Sequence, residues 1–127
     1  MSRGRRLLVL DDDASILALL RTYFSGLGWS VEVCADAAAA LGLAGSEAPF
    51  DAIISDLHFT PELAAEGLDI VARARERRPG AAVILFTASN ENHVHAEALV
   101  RGADEVIVKP APLARLREAA LRGRRRP

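Results

Sequence analysis

Five short apolar runs are spaced along the chain and separated by longer segments with helical periodicity. The runs are residues 6–10, 30–34, 51–55, 81–86 and 104–108. Four of them are nearly continuous in Leu, Ile, Val and Ala, which is typical of strands in a parallel sheet that is covered on both faces. Only residues 30–34 alternate, with Glu32 between two valines, so we expect this strand at an edge of the sheet.

The intervening segments predict helices at residues 14–27, 36–46, 67–78, 91–101 and 112–121. In the first of them Ile16, Leu17, Leu20 and Phe24 fall on one stripe. Strand and helix alternate five times, and right-handed crossovers leave few arrangements for such a chain. We therefore predict a single α/β domain, a three-layer α/β/α sandwich around a five-stranded parallel sheet of order 2-1-3-4-5.

Composition supports one domain and excludes several classes of function. The 127 residues are 50% hydrophobic, and a net charge of −1 supplies no field for attracting DNA or an anionic membrane. The lone Cys34 cannot form an internal disulfide, and no apolar run reaches the length of a membrane span. We expect a cytoplasmic protein with no membrane partner and no direct DNA binding, built as a domain at residues 1–122 and a basic, disordered tail or linker start at residues 123–127.

Polar side chains follow four of the predicted strands. Asp11 and Asp12 follow the first strand, Asp56 the third, Thr87 the fourth and Lys109 the fifth. Ligands of open parallel sheets bind beyond these carboxyl ends. Three crowded carboxylates require a cation, and oxygen ligands in an open site favour Mg²⁺. A hydroxyl and the only lysine of the chain complete a pocket suited to a phosphoryl group.

Four motifs in this order carry a family resemblance. They are LLVLDDD from Leu7, DAIISDL from Asp51, VILFTA from Val83 and GADEVIVKP from Gly102. With them the chain resembles, over residues 5–121, the receiver domain of bacterial two-component response regulators, which has a flavodoxin-like fold. The resemblance implies the following roles: Asp56 as phosphoacceptor, Asp11, Asp12, Asp56 and the main-chain carbonyl of His58 as ligands of Mg²⁺, and Thr87 and Lys109 as the residues that sense the phosphoryl group.

The resemblance also implies partners and an output. A sensor histidine kinase or a phosphotransfer protein would supply the phosphoryl group, and the modification would shift the surface formed by the fourth helix, the fifth strand and the fifth helix. That surface would control a downstream effector of unknown identity and could also form a homodimer. We expect a stand-alone receiver with no output domain in this chain, and no enzymatic activity beyond its own phosphorylation and dephosphorylation.

Two departures from the family pattern affect the mechanism. Pro61 and Gly67 lie five and eleven residues after Asp56, so we expect the loop at residues 57–66 to be about three residues longer than usual. Val106 stands where an aromatic side chain that changes rotamer is common. We therefore expect coupling to the surface through displacement of a loop and a helix.

Two other functions remain open on the sequence. A phosphohydrolase of the haloacid dehalogenase class would use Asp11 as nucleophile, with Asp13, Thr87 and Lys109. A receiver-like module could also bind partners without phosphorylation. Other charged residues we interpret as solvent-exposed: His93 and His95 on the fourth helix, and a solvated face of the third helix made of Arg73, Arg75, Arg77 and Arg78.

Overall fold

The computed structural model describes residues 4–56 and 64–122, so the predicted tail at residues 123–127 lies outside it. Strands and helices alternate along the chain, and their bounds are β1 Arg6–Leu10, α1 Ala14–Gly26, β2 Ser30–Cys34, α2 Ala37–Ala44, β3 Ala52–Ser55, α3 Ala64–Arg77, β4 Ala82–Thr87, α4 Asn92–Arg101, β5 Glu105–Val108 and α5 Leu113–Arg122. None of the helices in this part of the chain has the length and apolar character needed to span a membrane.

The five strands form one parallel sheet in the order β2-β1-β3-β4-β5, which confirms the predicted topology. The alternating strand β2 lies at one edge and β5 at the other. Leu10 at the end of β1 pairs with Cys34 of β2 and with Ser55 of β3. The chain reverses its winding direction between β1 and β3, and this reversal opens a crevice beyond their carboxyl ends.

Alternating side chains of the strands build two cores, one on each face of the sheet. Leu7 and Val9 of β1 face α1 and α5, where Phe24 and Leu116 are fully buried. Leu8, like its neighbour Leu10, faces the opposite layer of α2, α3 and α4. The almost continuous apolar runs are therefore explained, since both faces of the central strands are covered.

Asp13 and Asp36 are the N-cap residues of the first two helices. The Asp13 carboxylate accepts a hydrogen bond from the Ser15 amide at 2.8 Å, and the Asp36 carboxylate accepts one from the Ala39 amide at 2.8 Å. Each aspartate satisfies an amide that has no partner within its helix.

The third helix begins at Ala64, three residues before the predicted start at Gly67. The expected loop at residues 57–66 is therefore too long at its carboxyl end, because Ala64, Ala65 and Glu66 are helix-favouring residues that continue the helix backwards. The remainder of this predicted loop, residues 57–63, lies outside the described residues and includes Pro61.

The predicted solvated face on α3 is wrong for Arg75, which is only 8% exposed. Its guanidinium group donates hydrogen bonds to four carbonyl oxygens and forms an ion pair of 2.5 Å with Asp104. The four carbonyl oxygens belong to Arg78, Pro79, Ala81 and Gly102. An arginine side chain suits this position because it has five N–H donors in fixed directions. The carbonyl oxygens of several neighbouring turns converge here and need donors.

Arg78 is the second arginine of that face to be buried, at 7% exposure. Its donors reach main-chain oxygens at the end of α2 and in the segment that follows it, namely those of Leu43, Ala44, Ser46 and Ala48. The guanidinium group also lies 5.3 Å from the centre of the Phe50 ring. Burial lowers the pKa of Arg78, and the nearby charge of Arg77 lowers it further. Arg73 and Arg77 are exposed, as predicted.

Candidate functional site

The strand register brings the two buried candidate acids together. Leu10 and Ser55 are paired across β1 and β3, and Asp11 and Asp56 are the residues that follow them. Neighbouring strands lie about 4.8 Å apart, so consecutive positions beyond a paired end are close in space. The Asp56 amide donates to the Leu10 carbonyl oxygen at 2.8 Å, which continues the sheet one step into the site.

Asp11, Asp12 and Asp56 form a cluster that could hold a metal ion. One carboxylate oxygen from each of the three lies within 4.8 Å of the other two. Asp11 is 2% exposed and Asp56 8% exposed, whereas Asp12 is exposed to solvent. Because all three side chains offer hard oxygen ligands and one side of the cluster is open, the site fits a divalent cation that retains part of its water shell.

Lys109 supplies the positive charge of the site. Its Nζ lies 2.8 Å from Oδ2 of Asp11 and 3.4 Å from Oδ2 of Asp56, and 5.4 Å from the centre of the Phe86 ring. Burial by itself would lower the pKa of Lys109, but the hydrogen bond to Asp11 and the charges of Asp56 and Asp11 outweigh it and raise the pKa. The lysine is therefore an ammonium ion that bridges the two buried carboxylates.

Burial raises the pKa of Asp11, although Lys109 and one main-chain donor act against this effect. That donor is the amide of Asp13, 2.9 Å from Oδ1 of Asp11. The nearby charge of Asp56 raises the pKa further. The ionised form of Asp11 is thus only partly compensated within the chain, and a further cation beside it would be stabilising.

Thr87 ends β4 and is fully buried. It pairs with Val108 of β5, and its carbonyl oxygen accepts a hydrogen bond from the Lys109 amide at 2.8 Å. The Thr87 hydroxyl oxygen accepts a hydrogen bond from the Ser89 amide at 3.2 Å. A hydroxyl group also carries one hydrogen that it can donate, so Thr87 retains a donor for a ligand.

Two residues near Thr87 extend the site: Ser89, which the sequence did not single out, and His95, which it predicted to be exposed. His95 lies on α4 and is half-buried, so the expectation of solvent exposure holds for His93 and not for His95. The His95 Nε2 atom lies 2.7 Å from the carbonyl oxygen of Ser89. A hydroxyl residue two places after Thr87 is a weak sign of a local turn, and no pattern in the sequence indicates the contact with His95.

The predicted metal ligand His58 lies outside the described residues. Asp13, which the phosphohydrolase interpretation places beside Asp11, instead caps α1 with its carboxylate. The remaining five side chains, those of Asp11, Asp12, Asp56, Thr87 and Lys109, stand at the carboxyl end of the sheet as the sequence predicts.

Known proteins share both the sequence pattern and the fold. The chain matches the response regulator receiver domain family over residues 7–121. It is 34% identical over 111 residues to the response regulator MprA of Mycolicibacterium vanbaalenii, an alignment that covers 87% of this chain and 46% of the relative. The MprA protein of Mycobacterium avium is 33% identical, with 87% and 47% covered. The chain spans about half the length of these curated relatives.

Solved structures give the same result. A response regulator from Burkholderia pseudomallei, solved with a phosphorylated aspartic acid, a calcium ion and citrate, has a TM-score of 0.82 at 26% identity, covering 92% of this chain and 66% of that one. A CheY-like receiver domain protein from Methanospirillum hungatei has a TM-score of 0.81 at 28% identity, with 91% and 90% covered. Given this fold, this acidic cluster and the family match over nearly the whole chain, the chain belongs to the receiver domains of two-component response regulators.

Proposed function

We propose that Asp56 of this receiver domain accepts a phosphoryl group from a phosphohistidine of a sensor histidine kinase or a phosphotransfer protein. The observation that carries the proposal is the convergence of three carboxylates and one ammonium group at the sheet's reversal point. Asp56 follows the central strand β3, and its carboxylate lies beside Lys109 and the other two acids. It therefore stands at the crevice beyond the carboxyl ends of the strands, where a ligand of a parallel sheet binds.

In the proposed reaction a carboxylate oxygen of Asp56 attacks the phosphorus atom. The new P–O bond forms as the P–N bond to the donor imidazole breaks. The ring nitrogen keeps the electron pair of that bond and takes a proton from water, so the leaving group is neutral imidazole. The ammonium group of Lys109 lies 3.4 Å from Oδ2 of Asp56. In the proposed reaction it donates a hydrogen bond to an oxygen of the transferred phosphoryl group. The hydroxyl group of Thr87 supplies a second donor once the charged group is present.

We assign the metal site to Asp11, Asp12, Asp56 and the main-chain carbonyl of His58, with Mg²⁺ as the ion. When bound, Mg²⁺ would neutralise negative charge on the phosphoryl oxygens and on the acids. The oxygen-only cluster of the described residues supports this assignment. So does the similar Burkholderia pseudomallei protein, whose structure contains a phosphorylated aspartic acid together with a calcium ion.

We further propose that phosphorylation changes the surface formed by α4, β5 and α5, and that this surface binds a downstream effector or a second copy of the chain. Exposed apolar side chains on all three elements support this role: Leu99, Val100, Val108 and Leu121. Glu105 of β5 pairs with Arg115 and Arg122 of α5, which joins two of the elements. We place this signalling step in the cytoplasm, where the free Cys34 would remain reduced.

Transfer of a labelled phosphoryl group tests the proposed function. The protein is incubated with a phosphorylated histidine kinase domain or a small acyl phosphate, with and without Mg²⁺, and the labelled peptide is mapped. We expect one label per chain, on Asp56, only with the divalent cation, and lost in Asp56→Asn. Asp69→Asn, which removes an exposed carboxylate on α3, serves as the matched control and should label normally.

The same assay separates the other two functions. Label on Asp11 would support the phosphohydrolase interpretation and contradict our assignment. Absence of label in the wild type, together with no binding of beryllofluoride and Mg²⁺, would indicate a module that binds partners without phosphorylation.

A further inference from the structure

A short chain of hydrogen bonds leads from Thr87 into helix α4 through Ser89. The Ser89 amide donates to the Thr87 hydroxyl oxygen at 3.2 Å. The Ser89 carbonyl oxygen lies 2.7 Å from Nε2 of His95, on the first turns of α4. Because a carbonyl oxygen can only accept, the Nε2 atom of His95 carries the hydrogen. One residue of the loop is thus held at the site by its amide and at the helix by its carbonyl.

The third polar group of Ser89 is also used at the start of α4. Its hydroxyl oxygen accepts a hydrogen bond from the Glu91 amide at 3.3 Å. Glu91, the residue at the N-cap position, makes no side-chain capping bond of its own. Ser89 and His95 therefore provide the side-chain hydrogen bonds that join this loop to the beginning of the helix.

A change at Thr87 could also reach the surface formed by α4, β5 and α5 through Val106, but this second route is weak in this chain. Val106 of β5 is half-buried against the core on the side of α4 and has no polar group. A valine side chain has few rotamers and cannot exchange a hydrogen bond with Thr87. The loop between β4 and α4 contacts both Thr87 and the helix. It is therefore the connection through which a change at Thr87 can reach α4.

We propose that His95 is a positioning residue that transmits displacement of Thr87 to helix α4. The inference rests on the proposed function, in which the Thr87 hydroxyl donates to the phosphoryl group on Asp56. A hydroxyl oxygen that donates its hydrogen still accepts, so Ser89 stays bonded to Thr87 and follows it. His95 is bonded to Ser89 and is part of α4, so the helix follows the loop. Without the imidazole donor, the loop moves and the helix does not.

Amide chemical shifts measured by NMR test this route, with beryllofluoride plus Mg²⁺ as the probe of the phosphorylated state. In the wild type we expect shift changes both at the site, for example at the Asp13 amide, and along α4. In His95→Ala the changes at the site should persist while those along α4 fall by about two-fold or more. His95→Gln should restore them, because its Nε2 is also a donor of similar reach. His93→Ala, an exposed histidine on the same helix, should resemble the wild type.

The result that overturns the proposal is an undiminished response of α4 in His95→Ala. An equal loss in His95→Ala and His95→Gln would also overturn it, because the effect would then come from the packing of the ring and not from the donor. A wild type whose site responds while α4 does not would contradict the proposed route and leave the proposed function standing. A wild type that responds at neither place would refute the proposed function instead.

Discussion

The two ends of the sheet hold buried charge in opposite ways. At the carboxyl end, Asp11 and Asp56 are buried beside each other with one ammonium group, that of Lys109, between them. At the amino end, Arg75 and Arg78 are buried just as deeply, but their donors are directed at carbonyl oxygens, and Arg75 also pairs with Asp104. The carboxyl end leaves negative charge that only a ligand can compensate. At the amino end, carbonyl oxygens and Asp104 of the same chain compensate the positive charge of the arginines.

This difference separates function from stability. Crowded carboxylates destabilise a fold, and they persist where a metal ion or a charged group must bind. Arginines that donate hydrogen bonds to several main-chain turns contribute to stability, and most of their donors are used within the chain. Strands of four to six residues hold the two ends roughly 13–20 Å apart, which exceeds the screening length of about 8 Å at physiological ionic strength. We therefore expect substitutions at the two ends to act additively.

The strongest test of the amino end is Arg75→Met. The substitution leaves the Asp104 carboxylate and four carbonyl oxygens without their cation, and breaking a buried pair in this way costs about 3–5 kcal/mol. Urea unfolding followed by the fluorescence of Trp29, the only tryptophan, measures the loss. Phosphoryl uptake by the variant that remains folded should be unchanged.

Arg73→Met on the same helix is the control, because Arg73 is exposed. Its effect should stay within about 0.5 kcal/mol, as for most surface substitutions. Equal losses in the two variants would show that the hydrogen bonds of Arg75 contribute nothing special to stability.

A smaller effect is expected from Gly102→Ala, which also acts on Arg75. Gly102 has φ +124°, and an added Cβ would lie 2.6 Å from Cβ and Cγ of Arg75. An L side chain strained in this backbone region costs about 1–3 kcal/mol, and the contact adds to it. The unfolding free energy should fall by about 2 kcal/mol or more, measured as above.

Gly42→Ala provides a control of opposite sign. Gly42 lies within α2, and nothing stands within 4 Å of an added Cβ. Alanine there should raise the unfolding free energy by about 0.5–1 kcal/mol. Destabilisation by both alanines would contradict the proposed strain at Gly102.

The comparison of the two ends also explains what could be predicted from the sequence. Strand order followed from continuous apolar runs and from the single alternating strand around Glu32, because burial on both faces has a direct signature in composition. The acids and Lys109 were located because the ends of parallel strands meet at one edge. Both inferences rely on periodicity along the chain, which the sequence displays.

The contacts of Arg75, Arg78 and His95 could not be predicted in this way. Most of these contacts are made with main-chain oxygens. Every residue offers the same carbonyl group, so no residue type marks such a partner. On a helix near its C-terminus, an arginine that points to solvent has the same sequence context as one that points inward. The start of α3 was missed because Ala64 to Glu66 follow a proline-containing segment that resembles a loop.

At the carboxyl end, Mg²⁺ should stabilise the fold by linkage. A cation at ten times its dissociation constant raises the unfolding free energy by about 1.4 kcal/mol when it binds only the folded chain. Thermal or urea unfolding with and without Mg²⁺ measures this increment. It should be retained in Arg75→Met and Gly102→Ala and should fall in Asp12→Asn. An increment that depends on Arg75 would show that the two ends are coupled.

The smallest expected effect measures how far repulsion within the acidic cluster lowers the unfolding free energy, separately from the role of the cluster in binding a metal ion. Asp12 is exposed, and one of its carboxylate oxygens lies within 4.8 Å of those of Asp11 and Asp56. In buffer without divalent cations, Asp12→Asn removes repulsion between like charges in a nearly isosteric side chain, so the unfolding free energy should rise by about 0.5 kcal/mol. Added Mg²⁺ should reverse the order, because the wild type gains more from the ion. Asp69→Asn on α3 removes another exposed carboxylate, one that forms an ion pair with Arg101, and should not show this reversal. If Asp12→Asn destabilises the metal-free protein, the carboxylates of the cluster do not repel one another, and the contrast between the two ends of the sheet fails.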